Sequence, residues 1–270
     1  MHADTLRTAK QRRSSLLKLM KRAALMRHAD VRMFAGCTCW WRPASAVSIR
    51  QSCPVIRAWV CGIEGSGARS FADSLATVET TIIRSADLPI DLPDVCIVVA
   101  SAEQGFSPVV ADAWHRCAED FIPRICVWTH IDSGRTDDDE LRAMAERVLE
   151  EEVYPLALPI SGDDEEFVAL LDLPGQEIHI GDSDVSPSDT EHVSLSAGLR
   201  EELISAAAAT TDDASVIDQL NLGFVLDSQR AWQLVASAVR TGQLAVAVPT
   251  RPIEPKIGIR LVERFLASLA

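Results

Sequence analysis

The chain contains the run Gly62-Ile63-Glu64-Gly65-Ser66-Gly67-Ala68-Arg69-Ser70, a glycine-rich stretch that lies between two apolar segments. The preceding residues 55–61 are mostly apolar and are typical of a buried strand, while Phe71, Leu75 and Val78 follow at spacing that suits a short helix. A strand, a glycine-rich turn and a helix form the context of a phosphate-binding loop. Backbone N–H groups in such a turn can surround a phosphate, so this stretch predicts a P-loop-like turn.

The chemistry after the second glycine departs from the P-loop pattern. That pattern places Lys and then Ser or Thr directly after this glycine, whereas this chain has Ala68 and Arg69, and Ser70 comes one residue late for a Mg²⁺ ligand. Arg69 could reach a phosphate, since a guanidinium binds phosphate well, or it could be a surface charge on a turn without any ligand. The predicted nucleotide-binding residues in this stretch are Gly62, Gly65, Ser66, Gly67, Arg69 and Ser70.

Charge divides the chain into two parts. Residues 1–50 hold 11 Lys and Arg against 2 Asp and Glu, and the remaining 220 residues hold 15 against 37. The acidic part argues against DNA binding, because phosphate contacts need basic side chains. The basic part is predicted to be an N-terminal arm and linker, disordered or partly helical. Its helical segment could lie on a membrane surface or an acidic partner, and a misassigned start of the chain is the other possibility.

Several function classes are not expected from this composition. The sequence has no run of eighteen apolar residues, so no membrane-spanning helix is expected. No secretory signal is found either, so a cytoplasmic protein is expected. The seven cysteines are scattered, and Cys37 and Cys39 lack a second pair at zinc-site spacing. Neither His115 nor His130 belongs to a ligand cluster, so no metal site is predicted. No catalytic residue is predicted either.

Apolar strands alternate with amphipathic helices through most of the chain. Residues 94–101, 124–129 and 244–248 are expected strands, with helices beginning near 107 and 137 and a last helix over 257–269. This pattern predicts an α/β fold with a mostly parallel, P-loop NTPase-like sheet covered on both faces, over residues 51–270.

The alternation is interrupted between about 153 and 225, where an inserted α+β subdomain is expected. Short strands are predicted at 153–159, 167–173 and 176–180, followed by helices near 197–209 and 213–222, and the acidic residues 181–191 are expected to form a solvated loop.

Four further segments carry a family resemblance. They are residues 100–108 (ASAEQGFSP), 123–132 (PRICVWTHID), 153–160 (VYPLALPI) and 167–173 (FVALLDL). Together with the glycine-rich turn, their order and spacing resemble the GTP-binding domain of elongation factor G, a translational GTPase, over residues 55–270. The resemblance implies that residues 123–132 correspond to the guanine-reading strand, which ends in Asn-Lys-x-Asp in the family, and that Asp132 reads the base.

The chain departs from the family where the chemistry takes place. Thr129 and His130 stand at the Asn and Lys of the guanine motif, and Pro249-Thr250 replaces the Ser-Ala loop that touches the base. Asp91-Leu92-Pro93-Asp94 imitates the Asp-x-Pro-Gly of switch II, but Asp94 replaces the glycine and no histidine follows. The segment between Leu75 and Val95 is also too short for switch I.

The resemblance therefore implies weak binding of GTP or GDP, with Mg²⁺ disfavoured and little or no GTP hydrolysis. The ribosome or a translation factor is the partner that it suggests. Two alternatives stay open: a pseudo-GTPase that serves as a protein-binding scaffold without nucleotide, and a decaying fragment of an elongation factor G paralogue. Stabilisation by nucleotide separates the first interpretation from the other two.

Overall fold

The computed structural model describes residues 55–85, 88–133, 136–162, 166–181, 183–211, 213–223 and 225–269. The predicted basic arm at 1–50 lies outside these residues, so its structure stays a prediction. Within the described part of the chain, no helix is long and apolar enough to cross a membrane.

Six parallel strands form the large sheet. They are β1 (Ile56–Cys61), β2 (Val78–Ile83), β3 (Val95–Ser101), β4 (Arg124–Thr129), β5 (Val153–Pro155) and β10 (Ala245–Pro249). Their order across the sheet is β2-β1-β3-β4-β10-β5. The apolar runs of the central strands are buried on both faces of the sheet, as expected for parallel strands.

Helices cover both faces of this sheet, which confirms the predicted fold class. One face packs against α1 (Ala68–Ser74), α4 (Thr190–Ala209), α6 (Ser228–Arg240) and α7 (Ile259–Leu269). The other face packs against α2 (Pro108–Glu119) and α3 (Asp138–Leu149). Adjacent strand residues serve opposite faces, so Val60 lies in the first core and Trp59 in the second.

The chain between β5 and β10 adds a small antiparallel sheet and two helices. The sheet runs in the order β6 (Ala157–Ser161), β7 (Phe167–Asp172), β8 (Glu177–Ile180) and β9 (Asp184–Pro187), and α4 and α5 (Ala214–Asn221) follow it. This part of the structure is the α+β insertion that the interrupted alternation predicted.

The prediction of a solvated loop at 181–191 is wrong. This stretch contains β9 and the start of α4, because β9 pairs with β8, as in the pair His179–Val185. The acidic Asp189 has a structural task here, since its Oδ1 accepts a hydrogen bond from the His192 N–H at 2.9 Å and so caps α4. The acidic residues of this stretch therefore belong to a helix cap and to an exposed edge strand.

Candidate functional site

The glycine-rich turn lies at the carboxyl edge of the large sheet, directly after β1. The Gly62 N–H donates to the Ile83 carbonyl at 3.3 Å, and the Ser66 N–H donates to the Ile63 carbonyl at 3.1 Å. Because the strands are parallel, the residues that follow β3 and β4 emerge at this same edge. Ligands bind at this edge in open α/β sheets, so the turn occupies the expected place for a site.

Glycine is required at three positions of the turn. Gly65 and Gly67 have φ values of 83° and 80°, a backbone conformation that residues other than glycine rarely adopt. A Cβ on Gly65 would collide with the end of the exposed Gln104 side chain. A Cβ on Gly62 would lie 2.6 Å from Ser66 Oγ and 2.7 Å from Ala68 Cβ. The turn is therefore tightly closed on itself.

Thr129 ties the turn to the end of β4. Its Oγ1 donates to the Ser66 carbonyl at 2.7 Å, and Ser66 is fully buried. His130 adds to this contact, because its Nδ1 lies 3.1 Å from Thr129 Oγ1 and 3.2 Å from Ser101 Oγ. Thr129 thus holds the turn against the end of β4.

The two positions after Gly67 differ in exposure. Ala68 is buried beside Phe71 in the core, only 3% exposed, so the position at which the P-loop pattern has Lys contributes packing. Arg69 and Ser70 are exposed in the first turn of α1. The structure thus brings Gly62, Gly65, Ser66 and Gly67 into one turn and leaves Arg69 and Ser70 on the solvent side of it.

Asp132 lies next to this edge, in the 3-10 turn Ile131–Ser133 that follows β4. Its Oδ2 accepts from Arg251 Nη2 at 2.8 Å, and the Asp132 side chain is 39% exposed. The Arg251 guanidinium also lies 5.8 Å from the centre of the Phe167 ring. The predicted base-reading carboxylate therefore has a partner inside the protein.

Sequence reasoning did not find Arg251, although a signal was present. Arg251 directly follows Pro249-Thr250, which the resemblance placed at the loop that touches the base. Thr250 is buried, and its N–H donates to the Trp128 carbonyl at 2.7 Å, which fixes the loop beside β4. This contact brings Arg251 within reach of Asp132.

Asp94 lies at the amino ends of the strands, on the side of the sheet away from the glycine-rich turn. It directly precedes β3, and its carboxylate accepts from the Arg57 backbone N–H at 2.8 Å and from Arg57 Nη2 at 3.0 Å. The hydrogen bond from the Arg57 side chain lowers the pKa of Asp94 below its ordinary value. The likeness of residues 91–94 to switch II is therefore misplaced, because these residues precede β3 and lie at the ends of the strands away from the turn.

Asp138 is a partly buried residue in the first turn of α3. Its Oδ1 is buried without a hydrogen-bond partner among the described residues. Burial raises the pKa of Asp138 to about 7, and the neighbouring charge of Asp139 acts in the same direction.

No protein-family model matches this chain, and no curated protein matches it either. Among solved structures, the chain is similar to ttk003000868, a protein from Thermus thermophilus, with a TM-score of 0.62 and 17% sequence identity. The similarity covers 80% of this chain and 40% of the Thermus protein, so the chain spans about two fifths of that protein's length. The two proteins share a fold over this region.

Proposed function

We propose that this chain is a domain of the translational-GTPase type that binds GTP or GDP weakly and hydrolyses GTP little or not at all. The observation that supports this best is the 2.7 Å hydrogen bond from Thr129 Oγ1 to the Ser66 carbonyl. This bond holds the glycine turn against the strand end that leads to Asp132. The motif order that resembles elongation factor G supplies the nucleotide class, and a cytoplasmic location beside the ribosome follows from it.

Weak binding follows from the charge at the turn. Ala68 offers no cation to the outer phosphates, and a charge-assisted hydrogen bond contributes about 1.5–3 kcal/mol. Its loss lowers affinity by about ten- to hundredfold. Backbone N–H groups of the turn and the exposed Arg69 are the remaining phosphate contacts that the turn offers. A low affinity for GTP and GDP is the expected result, with little support from Mg²⁺.

Low hydrolysis is expected because, among the described residues, the carboxyl edge of the sheet lacks the groups that stabilise the transition state. Phosphoryl transfer depends on charge stabilisation and on a residue that orients the attacking water. The Lys position is Ala68, and the carboxylate that imitates switch II, Asp94, lies at the opposite edge with Arg57 as its partner. The missing groups would stabilise mainly the transition state. Their absence is therefore expected to lower the rate of hydrolysis more than the affinity for nucleotide.

Asp132 is the residue proposed to read the base, and its ion pair with Arg251 competes with guanine for the carboxylate. Ion pairs that are partly exposed contribute about 0–1 kcal/mol, so opening this one lowers guanine affinity by at most about fivefold. Asp132 can then accept hydrogen bonds from the guanine edge. Since Thr129 and His130 replace its companions, a small preference for guanine over adenine is expected, about tenfold or less, the size of one hydrogen bond.

A nucleotide-free scaffold is the second candidate, and two contacts favour it. Arg251 Nη2 donates to the carboxylate of Asp132, and the Gln104 side chain lies next to Gly65, so both ends of the candidate site have neighbours within the protein. In this alternative the same fold binds the ribosome or a translation factor through its surface. The scaffold predicts no stabilisation by any nucleotide.

Thermal unfolding of the full chain with GTP, GDP and ATP, each with and without Mg²⁺, tests the proposal. Both guanine nucleotides are expected to raise the Tm at millimolar concentration, and ATP less so, because a ligand that binds the folded state stabilises it. Asp132→Asn is expected to reduce the difference between GTP and ATP while leaving the unliganded Tm nearly unchanged. No shift with GTP or GDP would contradict the proposal and favour the scaffold.

A further inference from the structure

Three side chains with metal-binding atoms lie together on the small sheet, far from the glycine turn in sequence. Asp172 is the last residue of β7 and pairs with Glu177, the first residue of β8, while His179 pairs with Leu170. Side chains two residues apart share a face of a strand, and paired residues on neighbouring strands share it too. Asp172, Glu177 and His179 therefore project from the same face of the β7–β8 hairpin.

Their polar atoms converge. His179 Nε2 lies 3.9 Å from Asp172 Oδ2 and 4.0 Å from Glu177 Oε2. One ligand atom from each residue lies within 4.8 Å of the other two, which is the spacing of a candidate metal site. Asp172 is fully buried, and His179 is 7% exposed.

Two of these atoms have no hydrogen-bond partner among the described residues. Asp172 Oδ2 and His179 Nε2 are both buried and unpaired. Leaving such a group unpaired is costly, and each case in a native protein needs an explanation. The two unpaired atoms face each other at 3.9 Å, beyond hydrogen-bond distance, so neither satisfies the other directly.

Neighbouring basic groups do not fill this place. Arg264 Nη1 donates to Glu177 Oε2 at 2.9 Å. Arg200 lies close to Asp172 but donates to the carbonyls of Leu173 and Leu226, at 3.1 and 2.9 Å. The other oxygen of Asp172 accepts from the Gly175 N–H at 3.0 Å. The arginines and the hairpin backbone thus leave Asp172 Oδ2 and His179 Nε2 facing each other.

We propose that Asp172, Glu177 and His179 bind a divalent transition-metal ion, with Zn²⁺ as the expected metal. Imidazole nitrogen and carboxylate oxygens are ordinary zinc ligands, at metal–ligand distances of about 2.0–2.2 Å. A tetrahedral site places two such ligand atoms about 3.4 Å apart, so His179 and Asp172 need to approach by only about half an ångström. Glu177 shares one oxygen with Arg264 or uses its second oxygen.

The site lies beside a cavity, and its two unpaired ligand atoms are buried. His179 lines a cavity of about 1200 Å³, together with Asp184 and Val185 of β9 and Arg260 and Arg264 of α7. Three protein ligands leave the fourth tetrahedral position for a water or a small anion. A bound ion would also fasten β7 to β8 beside α7. The site is independent of the proposed nucleotide function.

Cobalt(II) titration of the full chain tests the metal site, because Co²⁺ replaces Zn²⁺ and its visible absorption reports its ligands. The wild-type chain is expected to bind one Co²⁺ through nitrogen and oxygen ligands and to release it to Zn²⁺. Asp172→Asn, Glu177→Gln and His179→Gln are each expected to lower this affinity at least about 100-fold, since loss of even an outer-shell partner costs about 10–100-fold. Metal binding by cysteine thiolates elsewhere would show separate charge-transfer bands that these variants leave unchanged.

His192→Gln is the matched control. His192 is also a buried histidine, 3% exposed, with an unpaired Nε2 and a carboxylate partner, Asp189 Oδ1, at 2.8 Å from its Nδ1. This variant is expected to keep Co²⁺ binding. Wild-type affinity in the three cluster variants, or no binding of Co²⁺ and Zn²⁺ at millimolar concentration, would overturn the proposal. Glu177 is partly exposed, so Glu177→Gln serves as the folded test if Asp172→Asn unfolds the chain, as judged by circular dichroism.

Discussion

Thr129 and Ser66, 63 positions apart in sequence, are joined by a hydrogen bond of 2.7 Å from the threonine hydroxyl to the serine carbonyl. Ser66 lies between Gly65 and Gly67, which both have positive φ, so this bond fixes the centre of the turn. Thr129 is itself fully buried, and its hydroxyl oxygen also lies 3.1 Å from His130 Nδ1. The end of β4 therefore controls the shape of the turn after β1.

Thr129→Val is expected to lower the free energy of unfolding by about 1–2 kcal/mol, because the Ser66 carbonyl loses a partner in a buried place. The same change is expected to abolish any stabilisation of the protein by GTP, since the turn is no longer held. Urea unfolding with and without GTP measures both effects. Thr129→Ser keeps the hydroxyl and is the control: it should retain the GTP effect. Equal behaviour of the two variants would contradict the role given to this bond.

Arg251→Ala is expected to raise the affinity for GTP up to about fivefold, because it frees Asp132 from an ion pair worth about 0–1 kcal/mol. The affinity for ATP should stay the same or fall, since adenine does not use this carboxylate. Isothermal titration with both nucleotides measures the difference. Arg116→Ala removes an equal charge from the exposed side of α2 and should change neither affinity. A similar gain for GTP and ATP would show that Asp132 does not read the base.

Ala68→Lys combined with Arg69→Thr restores the P-loop pattern after Gly67. We expect GTP affinity to rise about tenfold or more, the size of one charge-assisted hydrogen bond, while some stability is lost because Ala68 is buried. Phosphate release should stay near the uncatalysed rate in both proteins, because the water-orienting group is still missing. Steady GTP turnover by the unmodified chain would be incompatible with the proposed function.

Asp138 predicts a pH dependence of stability. Burial raises the pKa of Asp138 to about 7 in the folded chain, from an ordinary value of 3.8. The folded state therefore holds this proton more tightly than the unfolded state. The resulting stability is complete below about pH 4 and is lost as the pH rises through about 7.

Asp138→Asn stays neutral at every pH and should remove this loss. Compared with the parent, the variant is expected to gain about 2–3 kcal/mol in free energy of unfolding between pH 5 and pH 8. Urea unfolding at the two pH values measures the gain. Asp112→Asn, at an exposed position of α2, is the control for the loss of one negative charge. A constant difference between parent and Asp138→Asn at both pH values would contradict the raised pKa.

Much of the fold could be predicted from local pattern. The apolar runs around Val98 and Cys126 predicted neighbouring parallel strands, and these two residues are paired in the structure. Ser107 and Asp137 predicted helix starts, and both side chains accept from a backbone N–H in the first turn of α2 and α3. These signals act within a few residues and depend little on the rest of the chain, so the sequence reveals them.

The same local reasoning was weaker for the site. The glycine turn was visible, because Gly65 and Gly67 adopt a backbone conformation that few other residues tolerate. The partners of Asp132 and Asp94 were not visible, since Arg251 and Arg57 are distant in sequence and meet them only in the folded chain. An acidic residue looks the same in sequence whether it reads a base, caps a helix or neutralises an arginine.

The sequence by itself determined the layered α/β architecture and the position of the glycine turn, because hydrophobic periodicity and glycine's backbone freedom are properties of short segments. Only the tertiary structure decided which charges meet. It joined Arg251 to Asp132 and brought His179 opposite Asp172 on the β7–β8 hairpin. Such pairs depend on strand register and on loop placement, where a shift of one residue turns a side chain to the other face of its sheet.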